Sequence, residues 1–527
     1  MPSPDLCVER LRDSRAAQSD WAARPLRERL NVLTRFRRLL VSHREDWLDR
    51  LARPGRLRAE SLVAEVLPLA DGCRYLERVA PRMLRPTTES TAGRPSWCWG
   101  HRVVHHRLPW GVVLVIGPGN YPLFLPGIQT LQALAAGNAV VWKPGQGGLA
   151  VAQLFQQLWV EAGGDARLVG LLSEDAADAE TAIDQGVDLI LLTGSTASGR
   201  AVLSRAASRV TPALVELSGC DAVCVLDSAD VRLAARAVAF GLNWNASATC
   251  VAPRRLFVTH RRRAEFEAAL VAELATLPAK PVEARAMSLA RALVAEALAD
   301  GATRLTHHDE SFVPTGLGSA TAGLSSRANN WQQQPADATS VRPLVLTSGR
   351  VEMRLAQSDL FAPVALVIPV DSDDAIPALE SACPYALGIS VFGDQKPAQR
   401  LASQLRAGCI VINDLIAPTA DPRLSFGGAG ASGFGPTRGP LGLLALTRPQ
   451  AQLTQTLPFR PHLAHLAQPN ECQLAALLEL EHGQGLLSRL RALARLLRET
   501  FFPQRTPTPR SPGEMANGAF LEEHSRD

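Results

Sequence analysis

Leu26, Leu30, Leu33, Phe36 and Leu40 recur at helical spacing with arginines between them, which predicts an amphipathic helix within residues 26–51 that lays one face on a core. From Trp110 the pattern changes. Short apolar runs at 110–116, 139–142, 168–172, 187–192 and 213–217 alternate with helical patterns at 122–136, 148–162, 174–184 and 197–207. This rhythm predicts an α/β fold built on a doubly wound parallel sheet. Such sheets bind ligands at the C-terminal ends of their strands. Chemistry is therefore expected at Gly117-Pro118-Gly119-Asn120, Lys143-Pro144, Gly194-Ser195 and Glu216-Leu217-Ser218-Gly219.

A second αβ stretch runs from Asp221 to about Asn413, with strands expected near 254–258, 364–369 and 408–413. Within it, residues 311–340 are rich in Ser, Gly, Gln and Ala and read as a long surface loop. The segment WCWGHRVVHHR, before Leu108, alternates loosely and predicts an extended arm. In the tail, Leu486, Leu490, Leu493 and Leu497 share one helical face, with Arg489, Arg491, Arg495 and Arg498 around it. Docking of this helix on the protein is favoured over contact with an anionic membrane surface.

The 527 residues carry 55 Lys+Arg against 51 Asp+Glu, a formal charge of +4, so a nucleic-acid partner has no electrostatic footprint. Hydrophobic residues at 46% and charged residues at 20% are those of an ordinary soluble globular protein of two or three domains, and exclude collagen-like, disordered and disulfide-scaffold classes. No apolar run approaches the roughly 18–20 residues of a spanning helix. The N-terminus lacks the apolar core of a signal peptide, so the expected location is cytoplasmic. Nine cysteines without a secretory signal point to free thiols, of which at most one is expected to be chemically special. His101, His105 and His106 lack a carboxylate or cysteine at ligand spacing, and no metal is expected. Only three of the cationic residues are lysines, Lys143, Lys280 and Lys396, which draws attention to Lys143 at a strand end.

Three residues carry the candidate chemistry. Cys250 lies in a small-residue loop, Asn243-Trp-Asn-Ala-Ser-Ala-Thr-Cys250, where a thiol is exposed for attack, although the commoner fate of a free cysteine is a buried structural one. Glu216 ends an otherwise apolar strand, where burial raises a carboxyl toward base-competent values. Asn120 ends the first strand and offers an NH₂ donor, against the plainer reading of a turn residue. Together they supply a thiolate, an oxyanion donor and a base for water.

On these residues the chain resembles the aldehyde dehydrogenase superfamily over about residues 20–457. The resemblance rests on Pro109-Trp-Gly-Val-Val, Gly-Asn120-Tyr-Pro, Ala-Gly-Asn-Ala-Val-Val-Trp-Lys143-Pro, Thr193-Gly-Ser-Thr-Ala-Ser-Gly199 and Glu216-Leu-Ser-Gly219. It continues through the Cys250 loop, Asp359-Leu-Phe-Ala-Pro363, Pro384-Tyr-Ala-Leu-Gly-Ile-Ser-Val-Phe392 and Ser425-Phe-Gly-Gly-Ala-Gly-Ala-Ser-Gly-Phe-Gly435. It implies an NAD- or NADP-dependent oxidation of a small-molecule aldehyde, with Cys250 as nucleophile, Asn120 and the Cys250 N–H as oxyanion hole, and Glu216 as the base that hydrolyses a thioester. Cofactor contacts are implied for Lys143, Gln146, Gly194, Ser195, Gly199, Leu217, Asp359 and Phe361. The implied organisation is N-terminal helices and a Rossmann-type cofactor domain over 1–219 with an arm at about 95–108, and a catalytic domain over 220–430. A return to the cofactor domain with an oligomerisation strand follows over 431–457, then an extension over 458–527. A homodimer or homotetramer is implied.

The departures from the family pattern are Asp359 for a usual Glu, one methylene or about 1.5 Å shorter, Ser218 for Gly, Ser247-Ala248 for Gly-Gln, Gly119 for Trp in many members, and Ala362 for Gly. Gln146, where NAD-preferring members often have Glu, leaves both cofactors open. Two alternatives stand beside the oxidation. One is reduction of an acyl-CoA or acyl phosphate through the same thioester, disfavoured by the presence of Glu216. The other is a binding or scaffold protein that keeps the fold without the activity.

Overall fold

The computed structural model describes residues 4–95, 98–306, 312, 339–457 and 471–501. Contacts divide the chain into one unit of residues 1–88 and 104–452 and a second of 89–103 and 453–527.

The first unit holds two large sheets. Strands β1 (Val112–Ile116), β2 (Ala139–Lys143), β3 (Val169–Leu171), β4 (Leu189–Gly194) and β5 (Ala213–Leu217) form a parallel array in the order β3-β2-β1-β4-β5. Every residue of β1 is buried, as expected for a strand covered on both faces. The second array comprises β6 (Asp221–Val225), β7 (Pro253–Thr259), β8 (Thr303–Arg304), β9 (Leu344–Thr347), β10 (Val364–Val370), β11 (Gly388–Phe392) and β12 (Cys409–Ile412). Its order is β8-β9-β10-β7-β6-β11-β12, parallel except for the β8–β9 pair. A short β13 (Gly433–Phe434) then pairs antiparallel with β5, setting Gly433 opposite Glu216. This return brings the Ser425–Gly435 motif to the strand end that carries the candidate base.

Helices cover the first sheet. Helix α1 (Phe124–Ala136) is buried along its whole length and ends at Gly137, whose φ of +96° is a left-handed cap that residues with a Cβ rarely adopt. Helix α2 (Thr196–Arg209) follows β4, and α3 (Val231–Asn243) leads into the Cys250 loop. The apolar runs and helical patterns from residue 110 to 217 each correspond to an element within a few residues.

The N-terminal region differs from the pattern-based expectation. The stretch 26–51 is two helices, Leu26–Ser42 and Arg44–Arg50, broken at His43 (φ −96°, ψ 28°) so that Trp47 and Leu48 turn inward to burial. Helices at Pro4–Ala23 and Leu67–Met83 were not anticipated. The first buries Cys7, Leu11, Ala17 and Trp21, a stripe too sparse and too small to stand out among its polar neighbours. The stretch 311–340 lies almost wholly outside the described residues.

In the second unit, Thr456 N–H donates to Gly100 O at 2.9 Å, and the expected arm is a strand, His101–Pro109, that continues into the first unit. Helices α4 (Glu471–His482) and α5 (Leu486–Phe501) form a hairpin tied by Arg495 to Glu479 at 2.6 Å.

Candidate active site

The ends of β1 and α3 converge on the Cys250 loop. Asn120 Nδ2 donates to Ala248 O at 3.0 Å, and the Tyr121 hydroxyl bonds the Thr249 hydroxyl at 2.7 Å. Asn245 Nδ2 reaches the same Ala248 carbonyl, also at 3.0 Å. From the other side Arg254, buried at the start of β7, donates to Ser247 Oγ at 2.7 Å, Ser247 O at 2.8 Å and Ala362 O at 2.9 Å. The loop is thus held at three successive residues before the thiol. Asn245, Ala246 and Ser247 all have positive φ, at 49°, 52° and 63°. Ser247 stands where the family usually has Gly, and this left-handed backbone is the physical reason glycine suits the position. Such strain persists only where neighbours over-determine it, as Arg254 and the two asparagines do here.

Glu216 is 1% exposed. Its Oε2 accepts a hydrogen bond from Thr437 Oγ1, while Oε1 has no partner among the described residues. Burial pushes its carboxyl up, opposed by the Arg438 cation and the Thr437 hydrogen bond. The Cys250 thiol is also pushed up, first by burial and then by the carboxylates of Glu216 and Asp221, while Arg438 again pulls down. One buried guanidinium therefore acts on both groups. Arg438 lies 4.0 Å from the Phe426 ring centroid and 5.4 Å from that of Phe124, and it donates to Thr419 O through Nη1 at 2.5 Å. Neither Thr437 nor Arg438 was singled out from the sequence. Each is more than 180 residues from Cys250, and one arginine among many carries no local signal.

Asp221 is a second unanticipated acid. It is buried, Oδ1 lacks a partner among the described residues, and burial raises its carboxyl well above the usual range. Cys220 and Cys383 share a hydrogen bond that, with the Arg255 cation, lowers the Cys383 thiol, while the same bond and burial raise that of Cys220 against the pull of Arg255. These cysteines are 163 positions apart, so only the fold reveals the pair.

Of the residues implied as cofactor contacts, Lys143, Gly194 and Leu217 end parallel strands. Lys143 ends β2 half-buried; burial lowers its ammonium, while Glu174, Asp175 and Asp178 hold it up. Gln146 is exposed beyond it. A Cβ on Gly145 would sit 2.2 Å from the carbonyl carbon of Pro118, so the Lys143 turn and the Asn120 turn are in backbone contact. Gly194 and Ser195 lead into α2, with Ser195 Oγ accepting from Ser198 N–H at 3.1 Å. Gly199 is required by packing, since a Cβ there would lie 2.6 Å from Leu217 Cδ1. The helix N-terminus and its glycines form a cradle that an anionic pyrophosphate fits.

Two departures from the family pattern meet. Ser218 hydrogen-bonds Asp359, whose carboxyl burial still raises to about 6 against that bond and the Arg254 cation. Tyr385 hydrogen-bonds Thr196 at the start of α2, and burial and the Asp359 carboxylate raise its phenol. Phe361 is half-buried two residues on. The histidines of the arm are engaged elsewhere: His101 Nδ1 is 2.9 Å from Cys98 O and His106 Nε2 is 2.9 Å from Gln452 Oε1.

Behind Asn120 stands a buried ion pair. Arg56 Nη1 meets Glu65 Oε1 at 3.0 Å with both side chains at most 2% exposed, and the same Nη1 donates to Asn120 O at 3.3 Å. Glu65 Oε2 accepts from Leu123 and Phe124 N–H at 2.8 and 2.9 Å, which caps α1. Glu65→Gln leaves a buried guanidinium uncompensated, and an expected loss of about 3–5 kcal/mol follows. Chemical denaturation of the two proteins checks it; an unchanged midpoint contradicts it.

The model of the Aldehyde dehydrogenase family matches residues 6–451. A protein of Methylomonas sp named 4,4'-diapolycopene aldehyde oxidase is 32% identical over 476 residues, covering 87% of this chain and 84% of its own. Among solved structures, the NADP-dependent glyceraldehyde-3-phosphate dehydrogenase of Bacillus halodurans C-125, complexed with NADP, superposes with a TM-score of 0.75 at 24% identity, over 86% of this chain and 92% of its own. An aldehyde dehydrogenase of Mycobacterium tuberculosis complexed with NAD+ gives 0.74 at 23% identity, over 85% and 89%.

Proposed function

The chain belongs to the aldehyde dehydrogenase family, and from that premise we propose that it oxidises an aldehyde to a carboxylic acid through a thioester on Cys250, with NAD or NADP as acceptor. The observation that carries the reading is the single cluster in which Asn120 holds the loop of Cys250 while Arg438 acts on both Cys250 and Glu216.

Cys250 attacks the carbonyl carbon as a thiolate. Asn120 has two N–H donors and spends one on Ala248 O, so the second, with the Cys250 backbone N–H, holds the oxyanion. The bound nicotinamide supplies the acceptor for the electron pair and hydrogen that leave the adduct, which becomes a Cys250 thioester. Glu216, held by Thr437, takes a proton from the water that attacks this thioester, and Cys250 leaves as thiolate. The retained carboxyl group favours hydrolysis over transfer to coenzyme A.

When a dinucleotide is bound, Lys143 would hold the adenosine ribose, the α2 N-terminus and Gly199 would hold the pyrophosphate, and Leu217, Asp359 and Phe361 would hold the nicotinamide half. Gln146 neither pairs with a 2′-hydroxyl as a carboxylate does nor repels a 2′-phosphate, so both dinucleotides are accepted. The domain division at 219 and 430 and the pairing of chains through the arm belong to the same reading.

Purified protein assayed with NAD and NADP against long apolar, aromatic and semialdehyde substrates is expected to form reduced cofactor with at least one. Binding of neither dinucleotide at millimolar concentration overturns the proposal in favour of a scaffold.

A further inference from the structure

Two cysteines outside the catalytic cluster are brought together by one buried arginine. Arg255, on β7, donates through Nε to Cys220 O at 2.9 Å and through Nη1 to Glu380 O at 3.1 Å, while Nη2 pairs with the Glu380 carboxylate at 3.0 Å. Cys383 N–H donates to the same Glu380 carbonyl at 3.2 Å. The guanidinium thus ties the two backbone segments to each other, and the two sulfurs meet in a hydrogen bond. Both thiols are free. Cysteines that serve only as small apolar packing need no shared cation.

The two sulfurs are not equivalent. Cys220 is 1% exposed, and its Sγ lies 3.4 Å from Ala356 O, so its one proton has two acceptors in reach. Cys383 is 6% exposed and sits in a turn between the exposed Ala382 and Pro384. The Cys220 hydrogen bond, and after it the Arg255 cation and the Tyr385 N–H, hold the Cys383 thiol below its ordinary range against burial. Thiolate character next to the surface makes Cys383 the sulfur that an oxidant meets first, with Cys220 behind it as the resolving thiol.

The pair also borders the nicotinamide side of the cradle. Cys220 follows Ser218, the partner of Asp359, by two residues. Ala356, which accepts from Cys220, belongs to the turn Arg354–Gln357 that leads to Asp359. Tyr385, two residues after Cys383, bonds Thr196 at the start of α2. A bond between the sulfurs removes the donor to Ala356 O and draws the segment after Ser218 toward the Cys383 turn, so it disturbs both the Asp359 contact and the α2 contact.

We propose that Cys220 and Cys383 are a redox-sensitive dithiol whose oxidation by hydrogen peroxide to a disulfide weakens dinucleotide binding. The Cys383 thiolate attacks one peroxide oxygen, the O–O bond breaks, and the departing hydroxide takes a proton and leaves as water. Cys383 is then a sulfenic acid. The Cys220 sulfur attacks the Cys383 sulfur, the S–O bond breaks, and the Cys220 proton departs with that oxygen as a second water. The dithiol loses two electrons and the peroxide gains them. Thiol–disulfide exchange with dithiothreitol reverses the bond. The effect on the dinucleotide rests on the catalytic reading, whereas the bond itself does not.

The test uses the full chain carrying Cys250→Ala, so that oxidation of the candidate nucleophile makes no contribution. After peroxide, alkylation of the remaining thiols and digestion without reductant, mass spectrometry is expected to find the Cys220 and Cys383 peptides cross-linked. The cross-link is expected to vanish in Cys383→Ser and in Cys220→Ser; the second variant is needed because Cys224 shares a tryptic peptide with Cys220. Titration with NAD and NADP is expected to show binding at least about fivefold weaker after oxidation, restored by dithiothreitol and insensitive to peroxide in Cys383→Ser. Absence of the cross-link, its survival in Cys220→Ser, or equal affinity of the reduced and the fully cross-linked protein overturns the proposal. Binding of neither dinucleotide by the reduced protein overturns the catalytic reading instead, and the cross-link still decides the dithiol.

Discussion

Cys250→Ala is expected to lower the rate of reduced-cofactor formation by about 10⁴-fold or more, the scale on which removal of a covalent nucleophile acts. The loss is chemical and not structural. Asn120 on Ala248, Tyr121 on Thr249 and Arg254 on Ser247 anchor the loop without the thiol, so the thermal midpoint and dinucleotide binding are expected to stay as in the wild type. Retained turnover in this variant ends the thioester mechanism. The pH dependence follows from the charges around the sulfur. Burial and the carboxylates of Glu216 and Asp221 favour the neutral thiol. The thiolate fraction therefore grows with pH, about tenfold per unit while the thiol form dominates. Alkylation of Cys250 by iodoacetamide, followed by mass spectrometry, is expected to accelerate from neutral to alkaline pH. A rate independent of pH contradicts the assigned environment.

Glu216→Gln acts one step later. The amide keeps an acceptor for Thr437 but cannot take a proton from water, so steady-state turnover is expected to fall by about 10²- to 10⁴-fold. A first equivalent of reduced cofactor still forms in a burst, and the acyl-enzyme accumulates at Cys250, visible by mass. Full turnover, or loss of the burst together with turnover, refutes the assignment to deacylation. In the wild type the carboxyl is raised above the ordinary glutamate range. Its base form is lost as pH falls through that raised value, so the acid limb of turnover lies higher than for an exposed glutamate and is absent from the glutamine variant. Arg438→Met removes the cation that holds the carboxyl down and moves the same limb to higher pH. That shift separates electrostatic action on Glu216 from a packing role against Phe426.

The roles of these residues were legible to different degrees. Cys250, Glu216, Asn120 and Lys143 lie in short local motifs, and strand-end placement follows from local alternation of apolar runs with helical patterns. Helix Pro4–Ala23 was not legible, because its buried stripe mixes Cys7 and Ala17 with bulkier residues. Arg438 and Thr437 were hidden for another reason: their partner Glu216 lies more than 200 residues away, and no spacing rule connects them, while Arg56 and Glu65 are close in sequence but gain their place behind Asn120 only from the fold.

By itself the sequence determined the two αβ arrays and the family, and it nominated the thiol, acid and amide, because hydrophobic periodicity and local turn chemistry act over a few residues. Tertiary structure alone decided what those groups experience. Burial of Glu216 beside Thr437 and Arg438, the meeting of Ser218 with Asp359 and the Cys220–Cys383 pair depend on which distant segments exclude water from one another. Desolvation and Coulomb forces depend on distance in space, whatever the separation along the chain.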